Sequence, residues 1–218
     1  MRAIHAFFAV GLVLAVGAGR SADAAIVDYQ FTDPADLAPT TQTDAAGTDV
    51  SFVDGDDGNK DLWIFEDGFD RIRGGRHGDT AVDMTAGQPN DNTASARFTI
   101  TSTGAAFDTS TASLSWDGFS GGGTRGNGLF AFYASTDGGT TFTDLGTFDD
   151  EADASIALGA LANAVLIDFR IYGIKSSGSF DTESGLNSVT FSSAQIPEPA
   201  SLALIGIGGL LMASRRRA

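Results

Sequence analysis

VLIDFRIYGI, residues Val165–Ile174, is the stretch that decides the fold. Leu166, Asp168, Arg170 and Tyr172 share one parity, and Val165, Ile167, Phe169, Ile171 and Gly173 share the other. Side chains of a strand alternate between the two faces of a sheet, so the stretch predicts a strand with one apolar and one mixed face. Runs of the same kind stand on both sides of it. Upstream are Ala25–Phe31 (AIVDYQF), Leu62–Phe65 (LWIF), Ala94–Thr101 (ASARFTIT), Ala112–Phe119 (ASLSWDGF), Leu129–Ser135 (LFAFYAS) and Thr141–Phe148 (TFTDLGTF). Downstream is Leu186–Ser192 (LNSVTFS). Gly, Asp and Ser turns separate them, and between the termini no long stretch keeps a 3.6-residue period. The expectation is an all-β chain, an antiparallel β-sandwich of jelly-roll-like topology. Ala152–Ala164 fits either a short helix or an irregular alanine-rich strand.

The composition agrees. The chain has 218 residues, enough for one domain with a sizeable core, and its 28 glycines and 16 phenylalanines suit strands and turns. A net charge of −15 repels nucleic acid and anionic lipid, so nucleic acid is not an expected partner. No cysteine is present, which excludes disulfides, thiolate metal sites and cysteine nucleophiles.

The two ends read as addresses. Arg2, the apolar run Ala6–Ala18 and the A-x-A site Ala22-Asp23-Ala24 form a signal peptide, a helix over residues 1–24 whose removal starts the mature chain at Ala25. An uncleaved N-terminal anchor is the alternative, for which the run is short. At the other end Pro197-Glu198-Pro199 precedes the uncharged Ala200–Ala213 and then Arg215, Arg216 and Arg217. The prolines keep the backbone extended, and the arginines hold the end of an apolar helix on the cytoplasmic side. Removing both ends takes away five arginines and one aspartate, so the exported part is more acidic than the whole.

A PEP tripeptide, a short apolar helix with small residues and a terminal arginine cluster, in that order, resemble the PEP-CTERM sorting signal. The resemblance covers about the last 23 residues. It implies recognition by an exosortase, a membrane-embedded cysteine protease-transpeptidase, and processing near Pro197-Glu198-Pro199. It also implies a Gram-negative bacterium that makes extracellular polysaccharide, and a chain that follows signal peptidase and the secretion machinery, sits briefly in the inner membrane, and ends at the cell surface or in the extracellular matrix. A plain C-terminal anchor is the other reading of the tail. The division expected is a signal peptide over 1–24, an ectodomain over 25–194 and a sorting signal with a transmembrane helix over 195–218. Within the ectodomain, LSWDGF, YASTDGGTTFTDLGTF, FRIYGIKSSGSF and LNSVTF resemble the jelly-roll domains that precede this signal. Asn187 departs from the acidic residue that many such relatives carry in their closing strand.

Few motifs carry chemistry. Ser135-Thr136-Asp137-Gly138-Gly139-Thr140-Thr141-Phe142 fits the Asp-box pattern, a structural hairpin in which Ser135, Asp137, Gly139 and Phe142 are the working positions. Its glycines supply turn geometry, and its aspartate accepts turn N–H groups. Asp54, Asp56, Asp57, Asn59 and Asp61 gather oxygen donors in a glycine-bearing loop, which suits calcium or else a solvated acidic turn. It is not an EF-hand, because no Glu stands at position twelve. Asp67–Asp79 (DGFDRIRGGRHGD) holds Arg71, Arg73, Arg76 and His77 and reads as a surface loop with local ion pairs. Neither a G-x-S-x-G elbow nor an H-E-x-x-H accompanies His77, and no glutamate stands in a recognisable glycosidase frame. Trp63, Trp116, Phe119 and Tyr133 would stack on sugars if exposed, but their strand contexts point to the core. The expected function is that of an exported, non-catalytic surface or matrix protein associating with exopolysaccharide. A secreted polysaccharide-active hydrolase and a calcium-dependent carbohydrate-binding module are the alternatives.

Overall fold

The computed structural model describes residues 24–32, 37–54, 62–66, 71–75, 81–82, 84–89, 93–120, 126–149, 154–175 and 182–196. The two expected terminal helices lie outside the described residues. The described part is all-β.

Eight strands form the body: β1 (Ala24–Gln30), β9 (Ser95–Ser102), β10 (Phe107–Ser120), β11 (Gly126–Ser135), β12 (Thr143–Asp149), β13 (Ala154–Ala157), β14 (Leu166–Lys175) and β15 (Thr182–Gln195). The short strands β2 (Thr41–Thr43), β3 (Ala45–Gly47), β4 (Ser51–Val53), β5 (Leu62–Glu66), β6 (Arg71–Gly75), β7 (Met84–Thr85) and β8 (Gln88–Pro89) fall between β1 and β9. One sheet runs β1–β15–β10–β13 and the other β9–β14–β11–β12, with every neighbour antiparallel. The chain crosses from sheet to sheet at each step along the body except at the β11–β12 hairpin, and its first strand pairs with its last. That is the order of a jelly roll. β2, β5 and β6 widen the first sheet; β3 and β4 widen the second beside β9.

The alternation in the sequence becomes the core. Ile167, Phe169 and Ile171 of β14 point inward with Phe98 and Ile100 of β9 and Phe130 and Phe132 of β11, all nearly or fully buried. From the first sheet come Val27, Tyr29, Leu114, Trp116, Val189 and Phe191. Aromatic rings join the two layers: Tyr29 meets Phe98 at 5.0 Å, Phe169 meets Phe191 at 6.2 Å, and Trp116 meets Phe132 at 4.6 Å. Such pairs add about 0.5–1.5 kcal/mol each beyond the area they bury. In a chain without cysteines, this layer and the sheet ladders hold the domain.

Several expectations need correction. Arg71–Gly75 is not loop but strand β6, flanked by β5 and β15, and Arg71 is only 5% exposed. A strand with a neighbour on each edge buries side chains that a loop would leave wet. Ala154–Ala157 takes the strand option, pairing with Ser113–Trp116. Val165 lies just before β14 and is 55% exposed, so parity alone misplaces it. Trp116 and Tyr133 are buried, as their contexts imply; the side chains of Trp63 and Phe119 lie outside the described residues.

Candidate functional site

The outer face of the second sheet carries the polar side chains of β9 and β14. Register puts Arg170 opposite Arg97 and Asp168 opposite Thr99. Thr99 donates its hydroxyl to Asp168 Oδ1 at 2.6 Å, and Arg97 Nε donates to Ser95 Oγ at 2.8 Å. β4 and the segment before it form one wall. Thr48 Oγ1 accepts the Thr99 N–H at 3.0 Å, and the Ser51 hydroxyl donates to the Arg97 carbonyl at 3.3 Å. The other wall is the β11–β12 connection, Gly138, Gly139 and Phe142. Between the walls lies a cleft of about 330 Å³, lined also by Arg97, Thr99, Asp168 and Arg170. The Arg170 guanidinium stacks 4.1 Å from the centre of the Phe142 ring, which fixes its orientation.

The β11–β12 connection is stiff for reasons legible in Ser135–Phe142. Asp137 Oδ1 accepts the Ser135 hydroxyl at 2.7 Å and the Thr140 and Thr141 amides at 2.9 Å each. Asp137 Oδ2 accepts the Thr141 hydroxyl at 2.7 Å, and Ser135 Oγ accepts the Gly139 N–H at 2.9 Å. These bonds, led by those from Thr141, hold the Asp137 carboxyl at about 2, down from 3.8. Gly138 and Gly139 have φ of 72° and 79°, which side-chain-bearing residues rarely adopt. The β7–β8 hairpin braces the loop from outside. Its turn, Ala86-Gly87, has positive φ at both residues, as the type I′ hairpin turn requires. Gly87 O accepts the Phe142 N–H at 2.8 Å, and Gln88 Nε2 donates to the carbonyls of Gly139 and Thr140.

Beside the cleft the outer face is apolar. Ala131, Tyr133, Phe142, Tyr172 and Ile174 form a second cluster, with Val82 and Leu129 against it. This cover is why Tyr172, on the mixed face of its strand, is fully buried. Burial, with the Asp144 carboxylate second, pushes the Tyr133 phenol above its usual range.

The cleft offers hydroxyls, two guanidinium groups and one carboxylate around an aromatic edge. A glycosidase needs two carboxylates about 5–10 Å apart; among the described residues that line the cleft, Asp168 is the one acid. Among the described residues no three acidic or histidine side chains gather as a metal site would need. Of the acidic loop, Asp54 is described and exposed, while Asp56, Asp57, Asn59 and Asp61 lie outside the described residues, as does His77. So do Ala22, Pro197, Glu198, Pro199, Arg215, Arg216 and Arg217. Ala24 opens β1 opposite Ala194, and Asn187 donates to Asp117 Oδ2 at 3.2 Å. The pairing of Arg97 and Thr99 with Asp168 and Arg170 escapes a sequence reading, because strands some seventy residues apart supply the two halves. The one signal was the mixed parity of β14.

Comparison with curated proteins gives no match. Among solved structures, the C-terminal domain of a chitobiase from Bacteroides fragilis is similar at 16% identity with a TM-score of 0.30, over 47% of this chain and 65% of that one. The chain thus spans a little under two thirds of that neighbour's length. At the end of the sandwich, β15 stops at Gln195, where the polypeptide continues into its PEP tripeptide. Residues 195–217 match the model of the PEP-CTERM protein-sorting motif, so this chain carries the mark of an exported protein that an exosortase processes from a C-terminal membrane anchor.

Proposed function

We propose that the chain is a non-catalytic surface or matrix protein whose jelly roll holds extracellular polysaccharide in the outer-face cleft. Exosortase processing at Pro197-Glu198-Pro199 sets it outside the cell. The observation that carries this reading is the cleft itself: Thr48, Ser51 and Thr99 hydroxyls beside Arg97 and Arg170, with Asp168 as the lining acid. Hydroxyl and guanidinium groups suit the hydroxyls and carboxylates of a glycan, and the rigid hairpin at Asp137 presets one wall.

Affinity electrophoresis of the full-length chain in detergent, through gels containing neutral or acidic polysaccharides, tests it. Retardation is expected in at least one polysaccharide. Arg97→Ala and Arg170→Ala should each weaken it about tenfold or more, the loss of a charge-assisted hydrogen bond of about 1.5–3 kcal/mol. The polysaccharide recovered afterwards should keep its length. Retardation unchanged in both variants would reject the cleft, and shortened polysaccharide would make the chain a hydrolase.

A further inference from the structure

The sandwich keeps hold of the chain up to Ile196. Its amide donates to Ala106 O at 2.9 Å, and Gln195 stands opposite Phe107 on the β10–β15 ladder. Gln195 Nε2 donates to Asp44 O at 2.8 Å and to Ser102 Oγ at 3.2 Å. The sorting motif begins at Gln195, so it grows out of the last strand without a spacer. The uncharged segment starts at Ala200, four steps beyond Ile196. Four residues reach at most about 14 Å when fully extended. The headgroup layer of one leaflet takes up roughly 5–7 Å of that. An anchored tail therefore leaves the pole where β15 ends almost no room to stand off the membrane.

The sequence of that pole fits such a position. The β9–β10 connection, Thr103–Ala106, and the β13–β14 connection, Leu158–Val165, contain no charged residue in a chain of net charge −15. The two lie side by side: Ser102 donates its amide to Val165 O and Phe107 to Ala164 O, both at 2.8 Å. Val165 is 55% exposed there. Three acids stand beside these turns: Asp44, whose backbone carbonyl accepts from Gln195, Asp108, opposite Ala194, and Asp137 in the hairpin that follows β11 at the same end. Asp117 and Asp149 are exposed toward the opposite ends of their strands. Anionic headgroups would repel the acidic body, and these two turns expose no carboxylate to them.

We propose that the pole formed by Thr103–Ala106 and Leu158–Val165 is a docking face for the lipid surface in which the tail is anchored, held there by the short reach from Ile196 to Ala200. The proposal rests on the sorting reading and adds an orientation to it: β15 stands with its C-terminal end down, and the strand ends bearing Asp117 and Asp149 point away.

Single-site labelling tests this cleanly, because the chain has no cysteine. The full-length chain, carrying a fluorescent label at Val165→Cys, Thr103→Cys or Asp117→Cys, is reconstituted into nanodiscs of phosphatidylethanolamine and phosphatidylglycerol with a nitroxide on the headgroup. Quenching at residues 165 and 103 should exceed that at 117 several-fold. Equal or reversed quenching overturns the proposal. A twelve-residue Gly/Ser insertion after Ile196, with a typical span of about 20 Å, should bring quenching at 165 down toward that at 117. Quenching at 165 that ignores the insertion overturns the role of the tether. A chain that fails to enter the discs overturns the anchored-tail reading and the proposal with it. A chain that enters them with residue 117 quenched overturns the proposal alone.

Discussion

The hydroxyl of Tyr29 fills the space that a Cβ on Gly47 would take. An added Cβ would also lie 2.7 Å from Pro39 Cγ and 2.8 Å from Val27 Cγ1, so the edge strand β3 closes over the core only because it has no side chain there. Tyr29 is fully buried, and its hydroxyl donates to Thr48 O at 2.9 Å. Burial, with Asp49 second, drives its phenol well above the usual range. Gly47→Ala should destabilise the domain by about 1–3 kcal/mol through overpacking. Tyr29→Phe should cost about 1 kcal/mol through the lost hydrogen bond. Together they should cost less than their sum, because removing the hydroxyl clears one of the three contacts. Urea unfolding of the four proteins measures the coupling, and strict additivity would refute the steric account.

The same substitution at Tyr172 should act in the opposite direction. Its hydroxyl is buried with no hydrogen-bond partner among the described residues, while its ring packs edge-on against Tyr133 at 5.7 Å. Tyr172→Phe keeps the ring and removes an unsatisfied polar atom, so stability should stay level or rise by up to about 1 kcal/mol. A clear loss in urea unfolding would show that the hydroxyl has a partner.

The Asp137 hairpin makes a pH prediction. Folding holds this carboxyl at about 2 against an ordinary 3.8. A depressed carboxyl stabilises the fold above its unfolded value and loses that contribution as pH falls through its folded value. The wild-type domain should therefore exceed Asp137→Asn in thermal stability at pH 6, and the gap should narrow between pH 3.8 and about 2. Thermal melts across that range decide it; a gap that stays constant to the lowest pH would mean that the carboxylate charge contributes nothing.

The body of the fold was legible in the sequence because period-2 alternation is a local signal. β10, β11 and β15 contain the runs read for them and β14 all of its run but Val165, and β10 and β15 are lengthened by residues such as Phe107-Asp108 and Thr182–Gly185 that pair by ladder rather than by pattern. The edge strands were not legible. Thr41-Gln42-Thr43 is exposed along its length, and Ala45-Ala46-Gly47 owes its place to β9 rather than to its own pattern. Arg71 misled because charge in a glycine-rich stretch argues for a loop, whereas its stretch is strand, paired with β5 from Arg71 to Gly75 and with β15 from Ile72 to Gly74. Half of the cleft showed as the mixed face of β14, and the hairpin at Asp137 showed as a motif. Arg97, Thr48 and Ser51 join them only through register, which no local pattern encodes.

The exit of the tail gives the last prediction. Gln195 clasps the end of β15 by donating to Asp44 O and Ser102 Oγ, and the neighbouring Ile196 amide bonds to Ala106 O. The PEP tripeptide of the sorting motif begins one position later, at Pro197. A protease needs extended, accessible backbone, so a firmly held Ile196 restricts the approach from the domain side. Gln195→Ala removes two side-chain hydrogen bonds, worth about 1 kcal/mol each. Amide exchange at Ile196 should accelerate several-fold while core amides such as Phe169 and Phe191 stay unchanged. In cells that process the chain, the unprocessed form should disappear faster than in wild type. Faster exchange at Ile196 without faster processing would mean that the protease reads the tail from the membrane side alone, and that the clasp serves only the fold.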